Sequence, residues 1–151
     1  MILSNNEMYD INKKLKIKNL MIINKDDLYG IKYNNKYNYI INIDKKENNG
    51  SHWVAIYKNI YFDSYGLKPP NSIEDYFKKG YYMNDKQIQP LNNNSQYCGW
   101  ICMMFLHYMN NKYDKNKNDD YNNFIDFIKL FDKNKLKNKK IIYDYFINII
   151  K

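Results

Sequence analysis

The chain contains no arginine; all 24 of its cationic side chains are lysine. Planar bidentate forks for carboxylate or phosphate are therefore excluded, and any polyanion must be held by lysine point charges. Cysteine and histidine are nearly as scarce, at two each. Cys98 and Cys102 stand one helical turn apart. Two thiols alone make a poor zinc site, so no metal is expected. No apolar run approaches membrane length and no secretory leader is evident. The expected setting is a reducing compartment, with no membrane partner and no secretion.

What is abundant is tyrosine, 17 of 151 residues, within an aromatic content of 17% and a net charge of +8. That length fits a single domain over 1–151 with one core, to which the aromatics supply bulk. Lys, Asn, Ile and Tyr dominate as an AT-rich genome would produce, so the asparagine runs read as mutational bias.

Ser4 and Glu7 form a capping box ahead of a helix-spaced segment, Met8, Ile11 and Leu15. Residues 20–23 are a short apolar run, and 26–30 read as a loop. Strands are expected over 37–43, 52–57 and 60–64, with a polar turn over 44–50 and Lys58-Asn59 as a two-residue hairpin turn. That hairpin register opposes Tyr57 to Ile60, Ile56 to Tyr61, Ala55 to Phe62 and Val54 to Asp63. His52 and Asp63 then share a sheet face as diagonal neighbours, about 7 Å apart at Cβ. Trp53 turns to the other face, toward the core. Residues 72–77 read as a short helix with Ser72 near its cap, ended by Gly80, and 88–90 as the end of another strand.

A polar loop over 92–95 leads into Cys98-Gly99-Trp100-Ile101-Cys102-Met103-Met104-Phe105-Leu106. This pattern predicts a buried helix with Cys98 in its first turn, among unpaired N–H groups that suit a thiolate. Taken alone, such a cysteine reads first as a buried packing residue. Gly99 leaves room for a substrate backbone near the sulfur. His107, nine residues along the same helix, projects to the opposite side and cannot serve as base. Two further amphipathic helices follow, one carrying Phe124, Ile125, Phe127, Ile128 and Phe131, the other Ile141, Ile142, Tyr145, Phe146, Ile149 and Ile150. Between them Lys133, Lys135, Lys137, Lys139 and Lys140 form the densest positive run. It reads either as a solvated connection or as a phosphate-tracking nucleic-acid contact.

Gly50-Ser51-His52-Trp53-Val54-Ala55, then Tyr61-Phe62-Asp63-Ser64-Tyr65-Gly66 ahead of Pro69-Pro70, then a glutamine and Cys98-Gly99, run in a specific order. Over residues 28–108 this resembles the adenovirus maturation protease family, adenain-like, and more broadly the SUMO-processing cysteine proteases. The forms seen in virophages, polinton-type elements and large DNA viruses are the most similar. The resemblance implies an α+β fold: a central, mostly antiparallel sheet with the nucleophile helix packed on it, and extra C-terminal helices. It implies a Cys98–His52–Asp63 triad with Gln89 as oxyanion donor. Gln89 lies nine positions before Cys98, about two more than the family pattern, and Gln96 is the rival. Gly99 and Trp53 would border the substrate cleft. The implied activity is virion maturation in the host cytoplasm, the virus factory or the particle interior. Capsid and core precursors would be cut at Gly-x-Gly or Gly-Gly sites, with DNA or an activating peptide as helpers. The alternatives are an isopeptidase for ubiquitin-like modifiers and a catalytically idle DNA-binding or packaging module.

Overall fold

The computed structural model describes residues 3–44, 52–77, 80–90, 97–112 and 119–150. The chain opens with α1 (Asn5–Leu15), whose capping box is complete: Glu7 N donates to Ser4 Oγ and Ser4 N to Glu7 Oε1, both at 3.2 Å. Five strands follow, β1 (Leu20–Asn24), β2 (Asn38–Asn42), β3 (Trp53–Tyr57), β4 (Ile60–Phe62) and β5 (Tyr82–Met83). They form one sheet in sequence order. The α+β class stands, but the sheet is mixed rather than mostly antiparallel. β2–β3 and β3–β4 are antiparallel, whereas the edge pairs β1–β2 and β4–β5 are parallel. The reason lies in the connections. A 3₁₀ turn (Lys25–Gly30), where a loop was expected, and the short α2 (Asn71–Glu74) each carry the chain back before the next strand.

The β3–β4 hairpin pairs Tyr57 with Ile60, Ile56 with Tyr61 and Ala55 with Phe62, the register read from the sequence. Lys58 takes the left-handed conformation (φ 53°) that a two-residue turn demands, and the Tyr33 hydroxyl donates to its carbonyl. α2 is shorter than expected and starts earlier, with Pro70 at its N-cap and Ser72 inside it. Residues 88–90 are not strand. The Ile88 and Gln89 amides both donate to the Ser64 carbonyl, at 2.8 and 3.2 Å, which takes them out of any ladder.

Period-two alternation sends Trp53, Ala55, Tyr57 and Phe62 to one face and Val54, Ile56 and Tyr61 to the other. The first face is covered by α1, α3 (Cys98–Asn111), α4 (Asp120–Lys129) and α5 (Lys135–Ile150). Here Phe105 stacks on Phe62 with centroids 4.9 Å apart, and Phe124 and Phe127 meet it edge-on. The second face packs on Leu28, Ile73 and Phe77. With both faces covered, α3 lies against β3, and its first turns stand at the Trp53 end of that strand, where Cys102 Sγ donates to the Trp53 carbonyl. No described helix is long and apolar enough to cross a membrane.

Candidate active site

Asp63 follows β4 and opens a tight turn. Its carbonyl accepts from Gly66 N at 2.8 Å, and its Oδ1 accepts from Tyr65 N at 2.8 Å. Glycine is required at position 66. Its φ is +70°, and a Cβ there would stand 2.6 Å from the Asp85 carbonyl oxygen. Asn84 grips the Asp63 backbone from the other side, accepting from its N–H at 3.1 Å and donating to its carbonyl at 2.7 Å. The carboxylate is thus fixed before it meets any partner.

His52 precedes β3, its carbonyl accepting from Ile43 N at 3.0 Å. Its Nε2 donates to Asp63 Oδ1 at 2.7 Å, with both side chains buried. Tyr65 lies flat on the imidazole, centroids 4.0 Å apart and planes within 10°. With Nε2 committed to Asp63, Nδ1 is the ring nitrogen left to meet Cys98. Burial by itself lowers the pKa of His52. Hydrogen bonding to Asp63 and to Cys98, and the charge of each, outweigh it and push the pKa up to about 9. The ring is therefore an imidazolium at neutral pH, set between an acid and a sulfur.

Cys98 is the first residue of α3, an end that no side chain caps. Tyr97 N donates to Gln89 Oε1 at 3.4 Å, and Gln89 Nε2 donates to Ser64 Oγ at 2.7 Å. The buried Gln89 amide thus bridges the turn bearing the acid and the residue before the cysteine. An amide nitrogen has two hydrogens, and Ser64 takes one. Ser95, the rival donor Gln96 and the polar turn over 45–50 lie outside the described residues.

Other expectations land elsewhere. Gly99 is buried, and a Cβ on it would stand 3.2 Å from Leu3 Cβ and 3.5 Å from Met8 Sδ. Its smallness admits the N-terminal segment against α3 rather than a substrate. Trp53 is core, 2% exposed, and its carbonyl accepts from Cys102 Sγ at 3.3 Å, so it borders no cleft. Cys102 is wholly buried, and burial raises its thiol pKa well above the ordinary value. His107 meets the Tyr145 hydroxyl at 2.6 Å, away from the triad. The lysines from 135 to 140 ride on α5 instead of connecting two helices. Helical winding places Lys137 about 160° around from Lys139. Lys140 pairs with Asp144 at 2.7 Å. A phosphate backbone following one face of α5 would meet Lys135 and Lys139 but not Lys137.

Sequence reading missed four supports: Tyr65, Asn84, Lys86 and Asn138. Lys86 Nζ donates to the Phe131 carbonyl at 2.6 Å at the end of α4. Asn138 Nδ2 donates to the Ile88 carbonyl at 2.8 Å, one residue before Gln89. Tyr65 stood inside the quoted motif two residues after the acid. Asn84 and Asn138 were hidden by the asparagine bias. Among the described residues no group of three or more metal-ligating side chains occurs. No protein-family model matches the chain, and no curated protein matches it.

Two histidines make the electrostatics directly measurable. In an NMR titration one imidazole is expected to change charge near pH 9 and the other, His107, below its ordinary 6.5 because burial disfavours its cation. Because the His52 pKa is raised on folding, the stability it contributes is complete below about pH 6.5 and disappears as pH rises through about 9. A His52 midpoint at or below 6.5 would refute the paired charge.

Proposed function

We propose that the chain is a cysteine peptidase acting through Cys98, His52 and Asp63. The observation that carries this reading is the buried 2.7 Å His52–Asp63 pair, with Cys98 at a helix N-terminus raising the same imidazole's pKa. His52 takes the Cys98 thiol proton, the sulfur attacks the peptide carbonyl, and the C–N bond breaks as the imidazolium gives that proton to the leaving amine. A thioester remains. Neutral His52 then takes a proton from water, whose oxygen attacks the thioester carbonyl, and the Cys98 sulfur leaves as the acid product forms. Asp63 holds the ring's orientation and its charge throughout.

The tetrahedral oxyanion would be held by the backbone N–H of Cys98 and the second N–H of Gln89. Gln89→Ala is expected to lower kcat by roughly 10²-fold, about 3 kcal/mol, with little change in KM, because the bond is made to the transition state. A rise in KM at constant kcat would place Gln89 in substrate binding instead. By the family resemblance, the substrates are capsid and core precursor polypeptides cut at Gly-x-Gly or Gly-Gly sites. Incubating the protein with the capsid proteins encoded beside it, with and without duplex DNA, and mapping new termini tests this. No Cys98-dependent cleavage under either condition would reject these substrates.

A further inference from the structure

Beside the nucleophile, α3 and α5 diverge to leave a groove of about 510 Å³. Tyr97 and Trp100 form one wall, and Ile142, Tyr143, Phe146 and Ile150 the other. Its floor is settled core, where Trp100 meets Phe146 edge-on at 5.3 Å. Its lip is open, with Tyr143 62% exposed. Apolar clefts with a few placed polar groups are the ordinary form of a ligand site. The polar group here is Lys139, whose Nζ stands 5.8 Å over the Tyr97 ring. Lys135 lies one turn earlier on the same side of α5. Among the described residues neither lysine is paired with a carboxylate, whereas Lys58 and Lys140 are. Both cations are therefore open to an anionic group brought by a ligand.

We propose that this groove binds a peptide segment of the substrate carrying large apolar side chains flanked by aspartate or glutamate. Two observations select that occupant. The groove adjoins the candidate nucleophile in sequence, because Tyr97 in its wall is peptide-bonded to Cys98. Its apolar walls end at unneutralised cations, which complement an acidic, hydrophobic chain. That the peptide belongs to a substrate rests on the peptidase reading; the chemistry of the groove does not.

The groove and the triad are tested separately on the full chain. Acetyl-Asp-Leu-Phe-Glu-amide is titrated while following tryptophan fluorescence, for which Trp100 is the responsive group and Trp53 the buried one. Acetyl-Lys-Leu-Phe-Lys-amide is the control. The acidic peptide should bind about fivefold tighter, the scale of one or two exposed ion pairs, and lose that margin in high salt. Lys139→Glu should reverse the order, and Tyr143→Ala should weaken both peptides severalfold. Both side chains are exposed, so neither change threatens the fold. Labelling of Cys98 by acetyl-Gly-Gly-aldehyde in the parent chain reads the triad separately from the groove. Equal affinities, or no saturable signal, overturn the groove even if Cys98 is labelled. Binding without labelling rejects the peptidase and leaves the groove standing. Concentration-dependent dimerisation abolished by Tyr143→Ala would assign the groove to a second copy instead. Duplex DNA binding lost in Lys139→Glu, with no peptide bound, would assign it to nucleic acid.

Discussion

Alanine at position 98 is expected to abolish peptide hydrolysis, a loss of roughly 10⁴- to 10⁶-fold of the kind seen when a covalent catalyst loses its nucleophile. Among the described residues, the one other thiol cannot replace the sulfur. Cys102 is wholly buried with its thiol pKa raised, and its Sγ is turned to the Trp53 carbonyl. Only one atom is lost from a site at the edge of the core, so the variant should melt within a few degrees of the parent. Cys102→Ala supplies the contrast. It opens a small void beneath α3 and should cost about 1 kcal/mol of stability while leaving labelling at Cys98 intact. Hydrolysis by folded Cys98→Ala, or its loss in Cys102→Ala at unchanged stability, would transfer the chemistry elsewhere.

Asp63→Asn should reduce kcat by roughly 10³- to 10⁴-fold, as in triads whose acid is made neutral without change of shape. The asparagine oxygen can still accept from Tyr65 N and from the imidazole, so the turn should survive. What disappears is the carboxylate charge. Burial is the largest influence on the His52 ring and lowers its pKa; Asp63 is a principal force against it. Without that charge the midpoint should fall from about 9, and the alkaline limb of kcat/KM should fall with it. The same change should flatten the decline in stability between pH 6.5 and 9, since less of the folded state's proton affinity is left to lose. Near-normal kcat with an unmoved His52 titration would make Asp63 a turn residue only.

The pairing of His52 with Asp63 was legible because every step toward it was local. A two-residue turn at Lys58-Asn59 sets the register, and alternation along two short strands sets the face. Helical periodicity likewise placed Cys98 in the first turn of α3 and excluded His107. Alternation along β3 turned Trp53 to the core, as found; the cleft role that the resemblance implied for it and for Gly99 failed for one shared reason. Their roles follow from what packs against α3 and β3, and Leu3, Met8 and Cys102 come from distant parts of the chain. Strand direction at the sheet edges was equally hidden, because two residues of β5 carry no pattern that distinguishes parallel from antiparallel.

The sequence by itself determined the chemical set, an acid, an imidazole and a thiol, together with the short-range geometry that aligns the first two. Those features obey periods of two and of 3.6 residues, which a reader can count. Tertiary structure alone decided that the first turns of α3 stand at the Trp53 end of β3, that Tyr65 covers the imidazole, and that Lys86 and Asn138 tie the Gln89 segment to the C-terminal helices. It also decided that a groove opens beside Tyr97. Such contacts join residues up to fifty positions apart, where side-chain shape and buried hydrogen bonds select the partner and no repeat in the chain announces it.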